Sequence, residues 1–283
     1  DLRDYLFLDK VFSNYEKSSK RIDFVIHFAG LKSIPRSFED PISYWDNNLV
    51  SSINLLKVMK KYKCKKIIFS STATIYDHSI NRSLKESDLI NPTSPYGFTK
   101  NSVERFLSDI YSSDKSWKIA NLRYFNPAGA HESGILGEDF FDMSTNLIPT
   151  LNRIANGEEE FLKVFGNDWD TKDGTCIRDF IHVMDLAEAH YLVLNYLLRE
   201  NKEILNINVG TGKGFSVIEL VNTYERVNNL SIPYNFVKKR LGDYPISVAD
   251  NSLMKLLFNW SPKRGLEEIC RDSWNYYINN FNK

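Results

Sequence analysis

Ser70, Ser71 and Thr72 close the apolar run Ile67-Ile68-Phe69, and Tyr96 and Lys100 lie four residues apart behind Ser94-Pro95. A hydroxyl, a phenol and an ammonium gathered in this way can carry the proton of an alcohol as it becomes a ketone. A free tyrosine titrates near ~10 and is mostly protonated at neutral pH. A lysine cation beside it favours the phenolate, which can then accept that proton. Thr72 could hydrogen-bond the same oxygen and relay it.

The spacing Tyr-x-x-x-Lys is common, and this chain has it at Tyr62–Lys66, Tyr96–Lys100, Tyr111–Lys115 and Tyr234–Lys238. Tyr62 belongs to the basic run Lys57–Lys66, read as a solvated helix end. Tyr111 closes its helix among Ser112, Ser113 and Asp114, and Tyr234 precedes Phe236 and Val237 in a strand-like run. Only Tyr96 opens a helix behind a capping serine and a proline. Positions 96, 100, 103 and 107 fall on one helical stripe. Val103 and Leu107 turn that stripe inward, and Lys100 with it.

The elements that must position these residues alternate. Phe24–Phe28 reads as a strand, Pro41–Tyr62 as a helix, Lys66–Ser70 as a strand, Pro95–Tyr111 as a helix and Lys118–Arg123 as a strand. Nearly continuous apolar strands between helices predict a doubly wound parallel α/β sheet, Rossmann-like, over residues 1–125. Residues 126–283 read as mainly a smaller α/β lobe, interleaved with the end of the first domain. Its elements are helices at Asn146–Asn156, Val183–Glu200, Val217–Val227, Asn251–Phe258 and Glu267–Ile278, and strands at Phe161–Phe165 and Leu205–Val209.

Composition narrows the classes. Among 283 residues, Lys+Arg and Asp+Glu both number 36, so charge alone gives no reason to expect nucleic acid or an acidic membrane as partner. No apolar run approaches the ~20 residues of a membrane helix. Cys64, Cys176 and Cys270 are widely spaced and odd in number, which suits a reducing cytoplasm rather than a disulfide framework or a zinc site. Asn81-Arg82-Ser83 and Asn229-Leu230-Ser231 are then chance matches to a glycosylation pattern. The five histidines have no metal-ligand spacing, and structural roles are expected for all of them.

Longer segments carry a family resemblance: Val25-Ile26-His27-Phe28-Ala29-Gly30-Leu31-Lys32, Asp46-Asn47-Asn48, Leu122 to His131, Phe165-Gly166-Asn167-Asp168 and Gly174 to Val183. With the Tyr96–Lys100 pair, they make the chain resemble the extended short-chain dehydrogenase/reductases, and within these the UDP-glucose 4-epimerases, from Asp1 to about Tyr277. The resemblance implies NAD-dependent epimerisation at C4 of UDP-hexoses by a protein that is a homodimer when complete. It makes Thr72, Tyr96 and Lys100 the catalytic set. It places Phe28, Ala29, Gly30, Lys32, Asn47 and Phe125 against NAD. It places Asn126, Asn146, Leu147, Phe165, Arg178, Arg240 and Asp243 against the UDP-sugar, and Ser247 in the wall beside the sugar's C2 substituent. Without it, Arg178 reads as an ion pair with Asp179, and Arg240 as a solvated charge beside Lys238 and Lys239.

The resemblance also implies a glycine-rich turn about fifty residues before Asp1, so the chain reads as lacking its amino-terminal strands and dinucleotide turn. Gly210-Thr211-Gly212-Lys213-Gly214 lacks the third-glycine spacing and reads as an ordinary turn. A 4,6-dehydratase would need Thr-Asp-Glu after the strand, whereas Thr72-Ala73-Thr74 has no carboxylates. A truncated, non-catalytic UDP-sugar binder is the alternative outside the enzyme class. Serine at 247, where relatives restricted to plain hexoses carry tyrosine, leaves room for N-acetylated UDP-hexoses.

Overall fold

The computed structural model describes residues 1–18, 20–79, 82–138, 146–199 and 204–281. Glu200 of the expected long helix and Asn81 of the first glycosylation pattern lie outside the described residues. The chain forms two compact units. The first comprises Asp1–Asp77, Glu86–Tyr124 and His190–Ile207; the second comprises His78–Lys85, Phe125–Ala189 and Asn208–Lys283.

In the first unit, α1 (Tyr5–Lys17) precedes the short strand β1 (Val25–His27), and α2 (Ile34–Glu39) and α3 (Pro41–Trp45) follow. The expected helix Pro41–Tyr62 contains a π-helical turn, Asp46–Val50, before it resumes as α4 (Ser51–Lys61). Strand β2 (Lys66–Thr72) is longer than read from its apolar run and includes Thr72. Helix α5 (Pro95–Ser113) and strand β3 (Lys118–Tyr124) complete the expected series. Strands β1, β2 and β3 are parallel neighbours, with Thr72 opposite Tyr124. A later strand, Ile204–Val209, adds beyond β3. This is the parallel sheet with flanking helices that the strand–helix rhythm predicts.

The pleat sends Ile67 and Phe69 of β2 and Ile119 of β3 to one cluster, where they meet Leu8 and Phe12 of α1, Val58 and Met59 of α4, and Val103 and Leu107 of α5. Burying each such side chain contributes about 1.5–3 kcal/mol. Helix α1 escapes the periodicity reading because only Leu8 and Phe12 of its residues are buried, while Leu6 and Phe7 are exposed.

The second unit contains β4 (Asn126–Ala128), α6 (Leu147–Ala155), β5 (Leu162–Phe165), β6 (Ile177–Arg178), β7 (Phe180–His182) and α7 (Val183–Arg199), whose last turns from His190 belong to the first unit. The strand Ile204–Val209 is β8. Then come β9 (Phe215–Ser216), α8 (Val217–Asn228), β10 (Tyr234–Val237), β11 (Ile246–Ser247), α9 (Ser252–Phe258) and α10 (Leu266–Phe281). β4 pairs with β7, β5 with β10, and β6 with both β11 and β9. These strands of two to four residues are too short to announce themselves by alternation. Helix α8 does announce itself, through the reciprocal Ser216–Glu219 capping box. Its Leu220, Val221 and Tyr224 pack with Leu151 of α6 and with Ile269 and Cys270 of α10.

Candidate active site and nucleotide-sugar site

The candidate residues Thr72, Tyr96 and Lys100 stand where β2 stops and α5 starts. After Thr72 the chain makes a single 3₁₀ turn, Ala73–Ile75, and the Thr74 N–H donates to Thr72 Oγ1 at 3.2 Å. Ser94 caps α5 by accepting from the Gly97 N–H at 3.1 Å, with Pro95 at the first helical position. A Cβ on Gly97 would stand 2.9 Å from the Thr74 carbonyl oxygen. Glycine therefore lets the helix start lie against the turn that follows Thr72. Tyr96 and Lys100 are buried on this helix, and Thr72 is buried at the strand end.

Lys100 Nζ donates to the Ser70 carbonyl oxygen at 2.9 Å, lies 3.5 Å from Ser70 Oγ and sits over the Phe69 ring. Among the described residues no carboxylate pairs with it. Burial alone lowers its pKa to about 8. The chain thus keeps a costly cation inside without neutralising it.

The segment Phe28–Lys32 after β1 is exposed throughout. A Cβ on Gly30 would lie 2.9 Å from Asn48 Oδ1 and 3.6 Å from Lys100 Nζ, so this backbone passes directly over the Lys100 ammonium. Asn48 holds it there. Its Oδ1 accepts from the Leu31 N–H at 2.7 Å, and its Nδ2 donates to the Leu31 carbonyl and to Thr99 Oγ1, both at 3.0 Å. Thr99 Oγ1 in turn donates to the Tyr96 carbonyl at 2.8 Å. Asn48 and Asn47 lie in the π-helical turn, a feature often found at functional sites. Asn47 uses its side chain to donate to the Ser43 carbonyl.

His27 is buried, and Ser52 Oγ stands 2.8 Å from its Nε2. The Ser52 hydroxyl proton goes to the Asn48 carbonyl, so His27 Nε2 must be the donor to Ser52. Burial, helped by the nearby Lys100, lowers the His27 pKa to about 4. The histidine therefore stays neutral and adds no second cation beside Lys100.

The strand end is also pinned from inside. Arg123, opposite Ser71 in the sheet, makes a two-pronged ion pair with Glu104 of α5 at 3.1 and 2.7 Å, and Ser71 Oγ donates to the same carboxylate. Arg123 also donates to Tyr76 Oη at 2.9 Å and to the Glu86 carbonyl at 3.1 Å. The rival tyrosine–lysine pairs resolve differently. Tyr62 is not simply solvated: it packs against the first core, and its hydroxyl reaches the Asp9 carbonyl. Lys115 lies over the Tyr111 ring, and Tyr234 is in β10.

The second unit gathers a different set. Asp243 stands between two arginines, with Arg240 Nε at 2.9 Å and Arg178 Nη2 at 3.6 Å. Arg178 also donates to the carbonyls of Ile177 and Tyr244, and the Arg240 guanidinium lies 4.3 Å from the Phe165 ring centroid. These contacts correct both local readings. Arg178 pairs with Asp243 rather than Asp179, and Arg240 is a stacked, paired charge rather than a solvated one. Successive residues of extended chain point to opposite faces, so Arg178 and Asp179 do not face each other.

Asp179, fully buried, accepts from the N–H groups of Thr211, Gly212 and Ala249 and from the Thr211 hydroxyl. The turn Gly210–Gly214 thus spends the N–H groups of Thr211 and Gly212 on a carboxylate of its own chain and that of Lys213 on the Thr211 hydroxyl, which suits its reading as an ordinary turn. Ser247 is buried with its hydroxyl 3.3 Å from His78 Nε2, and His78 stacks on Tyr244 at 3.7 Å. Phe125, Asn126, Asn146 and Leu147 also lie in the second unit. Phe125 is buried and donates its N–H to the Val209 carbonyl, and the Asn126 N–H donates to the Asp179 carbonyl. Asn146 caps α6 from an exposed position, and Leu147 opens that helix. Thr72, Tyr96, Lys100, Gly30 and Asn47 all lie in the first unit, where Gly30 and Lys100 approach each other, and Phe165, Arg178, Arg240 and Asp243 form one cluster in the second. Tyr44 escapes the sequence reading, and what Asn48 and Ser70 do is not legible there, because these roles rest on contacts to backbone or rings distant in sequence.

A family profile described as GDP-mannose 4,6 dehydratase matches residues 1–273. UDP-glucose 4-epimerase 4 of Oryza sativa is 45% identical over 280 residues, spanning 99% of this chain and 74% of the relative. UDP-glucose 4-epimerase of Bacillus subtilis is 44% identical over 282 residues, spanning 100% of this chain and 81% of the relative. The crystal structure of UDP-glucose 4-epimerase from Bifidobacterium longum in complex with NAD+ and UDP superposes with a TM-score of 0.94 at 42% identity. That match covers 100% of this chain and 82% of the other. An extended short-chain dehydrogenase/reductase architecture is the class that fold and site define. Within it, the chain belongs to the UDP-glucose 4-epimerase family.

Proposed function

We propose that Tyr96, Lys100 and Thr72 carry the proton chemistry of a reversible inversion at C4 of a UDP-hexose, with NAD as the bound cofactor. The observation that carries this reading is the buried Lys100 ammonium, which has no carboxylate partner among the described residues and lies under the Gly30 backbone. Such a cation is available to a phenolate and to a cofactor hydroxyl. The residues fit NAD, because Phe28–Lys32 form an exposed ledge whose glycine has no room for a Cβ. NAD supplies the hydride acceptor and donor.

Tyr96 takes the 4-OH proton as the C4–H bond breaks and the ketone forms, and returns it when hydride re-adds to the opposite face. Thr72 holds the same oxygen by a hydrogen bond. Lys100 keeps the phenolate form within reach at neutral pH. Arg178 and Arg240 suit a diphosphate, since a guanidinium fork gives two parallel hydrogen bonds, and Phe165 offers a ring face. Asp243 holds both forks in place. The protein must keep the nucleotide firmly and the hexose loosely, so that the ketone can present either face.

The test is conversion of UDP-galactose to UDP-glucose by the NAD-loaded enzyme with no added reductant. A requirement for stoichiometric NADH would overturn the reading.

A second reading concerns range. Ser247 is small, and we propose that the C2 wall admits N-acetylated UDP-hexoses, bounded by His78. A structure described as the UDP-Glc/GlcNAc 4-epimerase of Campylobacter jejuni is 34% identical, with a TM-score of 0.81. Ser247→Tyr is expected to remove activity on the acetylated sugars and spare the plain hexoses. Equal loss of both substrate classes would refute the assignment. We also propose a homodimer, supported by the exposed apolar residues Ile42, Trp45 and Phe98 on α3 and α5. Light scattering that returns a monomer mass at micromolar concentration would refute it.

A further inference from the structure

Helix α3 contributes a residue that the proton chemistry above does not use. Tyr44 is buried, and its ring stands edge-to-face against that of Tyr96, with centroids 6.4 Å apart and planes at 82°. Its hydroxyl donates to the Ser33 carbonyl at 2.6 Å. Ser33 caps α2 and follows directly on the exposed ledge Phe28–Lys32. The same helical stretch holds Asn48, which ties Leu31 of the ledge to Thr99 of α5. The ledge and the helix that carries Tyr96 are thus joined twice, once through the Asn48 side-chain amide and once through Tyr44, which spans the Ser33 carbonyl and the Tyr96 ring.

We propose that Tyr44 is a positioning residue whose ring sets the orientation of the Tyr96 ring. The proposal rests on Tyr96 being the proton acceptor. The reasoning is geometric. A tyrosine ring in a helix has two rotatable bonds, and the start of α5 constrains only the backbone. Something must fix χ1 and χ2 if the phenol oxygen is to meet both a substrate hydroxyl and the Lys100 ammonium. The edge-to-face arrangement prefers one ring orientation over its neighbours. The short hydrogen bond to Ser33 keeps Tyr44 from turning away in its own right. Misplacement by about 1 Å can cost ~10²-fold in rate, so a ring clamp of this kind has a visible kinetic role without touching substrate.

The test compares Tyr44→Leu, which removes the ring, with Tyr44→Phe, which keeps the ring and removes the Ser33 hydrogen bond. In the NAD-loaded enzyme, Tyr44→Leu is expected to lower kcat by about tenfold or more with KM for the UDP-hexose unchanged. Tyr44→Phe is expected to retain most of kcat. A readout independent of turnover is the ultraviolet tyrosinate titration of Tyr96, taken as the difference from the same protein carrying Tyr96→Phe. Its midpoint is expected to rise in Tyr44→Leu, because a displaced phenol loses the help of Lys100, and to stay in place in Tyr44→Phe. Should Tyr44→Leu fail to fold, Tyr44→Met carries the same comparison. Full kcat in the ring-less variant, or an unmoved midpoint with kcat and KM changing together as stability falls, would overturn the proposal. Absence of epimerase turnover in the wild type would instead count against the catalytic reading, and the titration would still report on Tyr44.

Discussion

The two units differ in whether every cation at their candidate sites is paired. In the second, Arg178 and Arg240 share the carboxylate of Asp243, and a ring face covers one of them. In the first, Arg123 is matched by Glu104, yet Lys100 a few residues away has no such partner among the described residues and loses pKa to burial. A paired guanidinium is held ready in one geometry, which suits holding a ligand. An unpaired ammonium is a stored cost, which suits stabilising a charge that appears only during reaction. The neutral His27 beside it fits the same logic, since a second cation there would compete for the same phenolate.

Four variants sharpen or break this contrast, from the largest expected effect downward. Tyr96→Phe is expected to lower kcat by about 10²–10⁴-fold with UDP affinity intact. Equal losses from Tyr62→Phe or Tyr111→Phe, measured side by side, would show that the wrong pair was chosen.

Lys100→Met separates stability from activity. The lysine's pKa falls from 10.5 to about 8 on folding. Between those values the unfolded chain binds more protons, so stability rises with pH through that window. At pH 7 both states are charged and the fold bears the whole cost, about 3 kcal/mol at ~1.4 kcal/mol per unit. The variant is therefore expected to melt higher at pH 7 while turnover falls and the acid limb of the pH–rate profile moves to higher pH. A lower melting temperature would mean that Lys100 is not a burden on the fold.

Arg178→Ala is expected to weaken UDP binding by about 10–100-fold, the range for one charge-assisted hydrogen bond, with little change in kcat. Calorimetric titration with UDP measures it. A loss confined to kcat would move Arg178 into the catalytic set.

His27 gives the smallest effect. Its pKa drops from 6.5 to about 4 on folding. The unfolded chain takes up the proton first, so stability is lost as pH falls from 6.5 toward 4. At pH 5.5 the loss is about 1.4 kcal/mol. His27→Asn is expected to flatten that part of the stability–pH curve, followed by urea denaturation at several pH values. An unchanged slope would place the acid sensitivity elsewhere.

Local chemistry made the strand and helix that carry the candidate site legible in the sequence. An apolar run ending in hydroxyls, a capping serine, a proline and an inward stripe each act within one element, so short-range rules suffice. The same rules placed a helix at Val217–Val227, where α8 stands, and left the Gly210–Gly214 turn as a turn. They stopped at contacts between elements. Asp179, beside Arg178 in sequence, serves a turn thirty residues away in the chain, while Arg178 pairs with Asp243 instead. Nothing within one segment says which of two neighbouring strand residues faces which partner. Likewise, Asn48 and Tyr44 look like ordinary helix residues until Leu31, Ser33, Thr99 and the Tyr96 ring surround them. The sequence by itself determined which residues could do the chemistry, because reactivity is a property of side-chain type. Only the tertiary structure decided which charges are paired, which are left unpaired and which rings are held, because desolvation and orientation depend on what the rest of the chain packs around them.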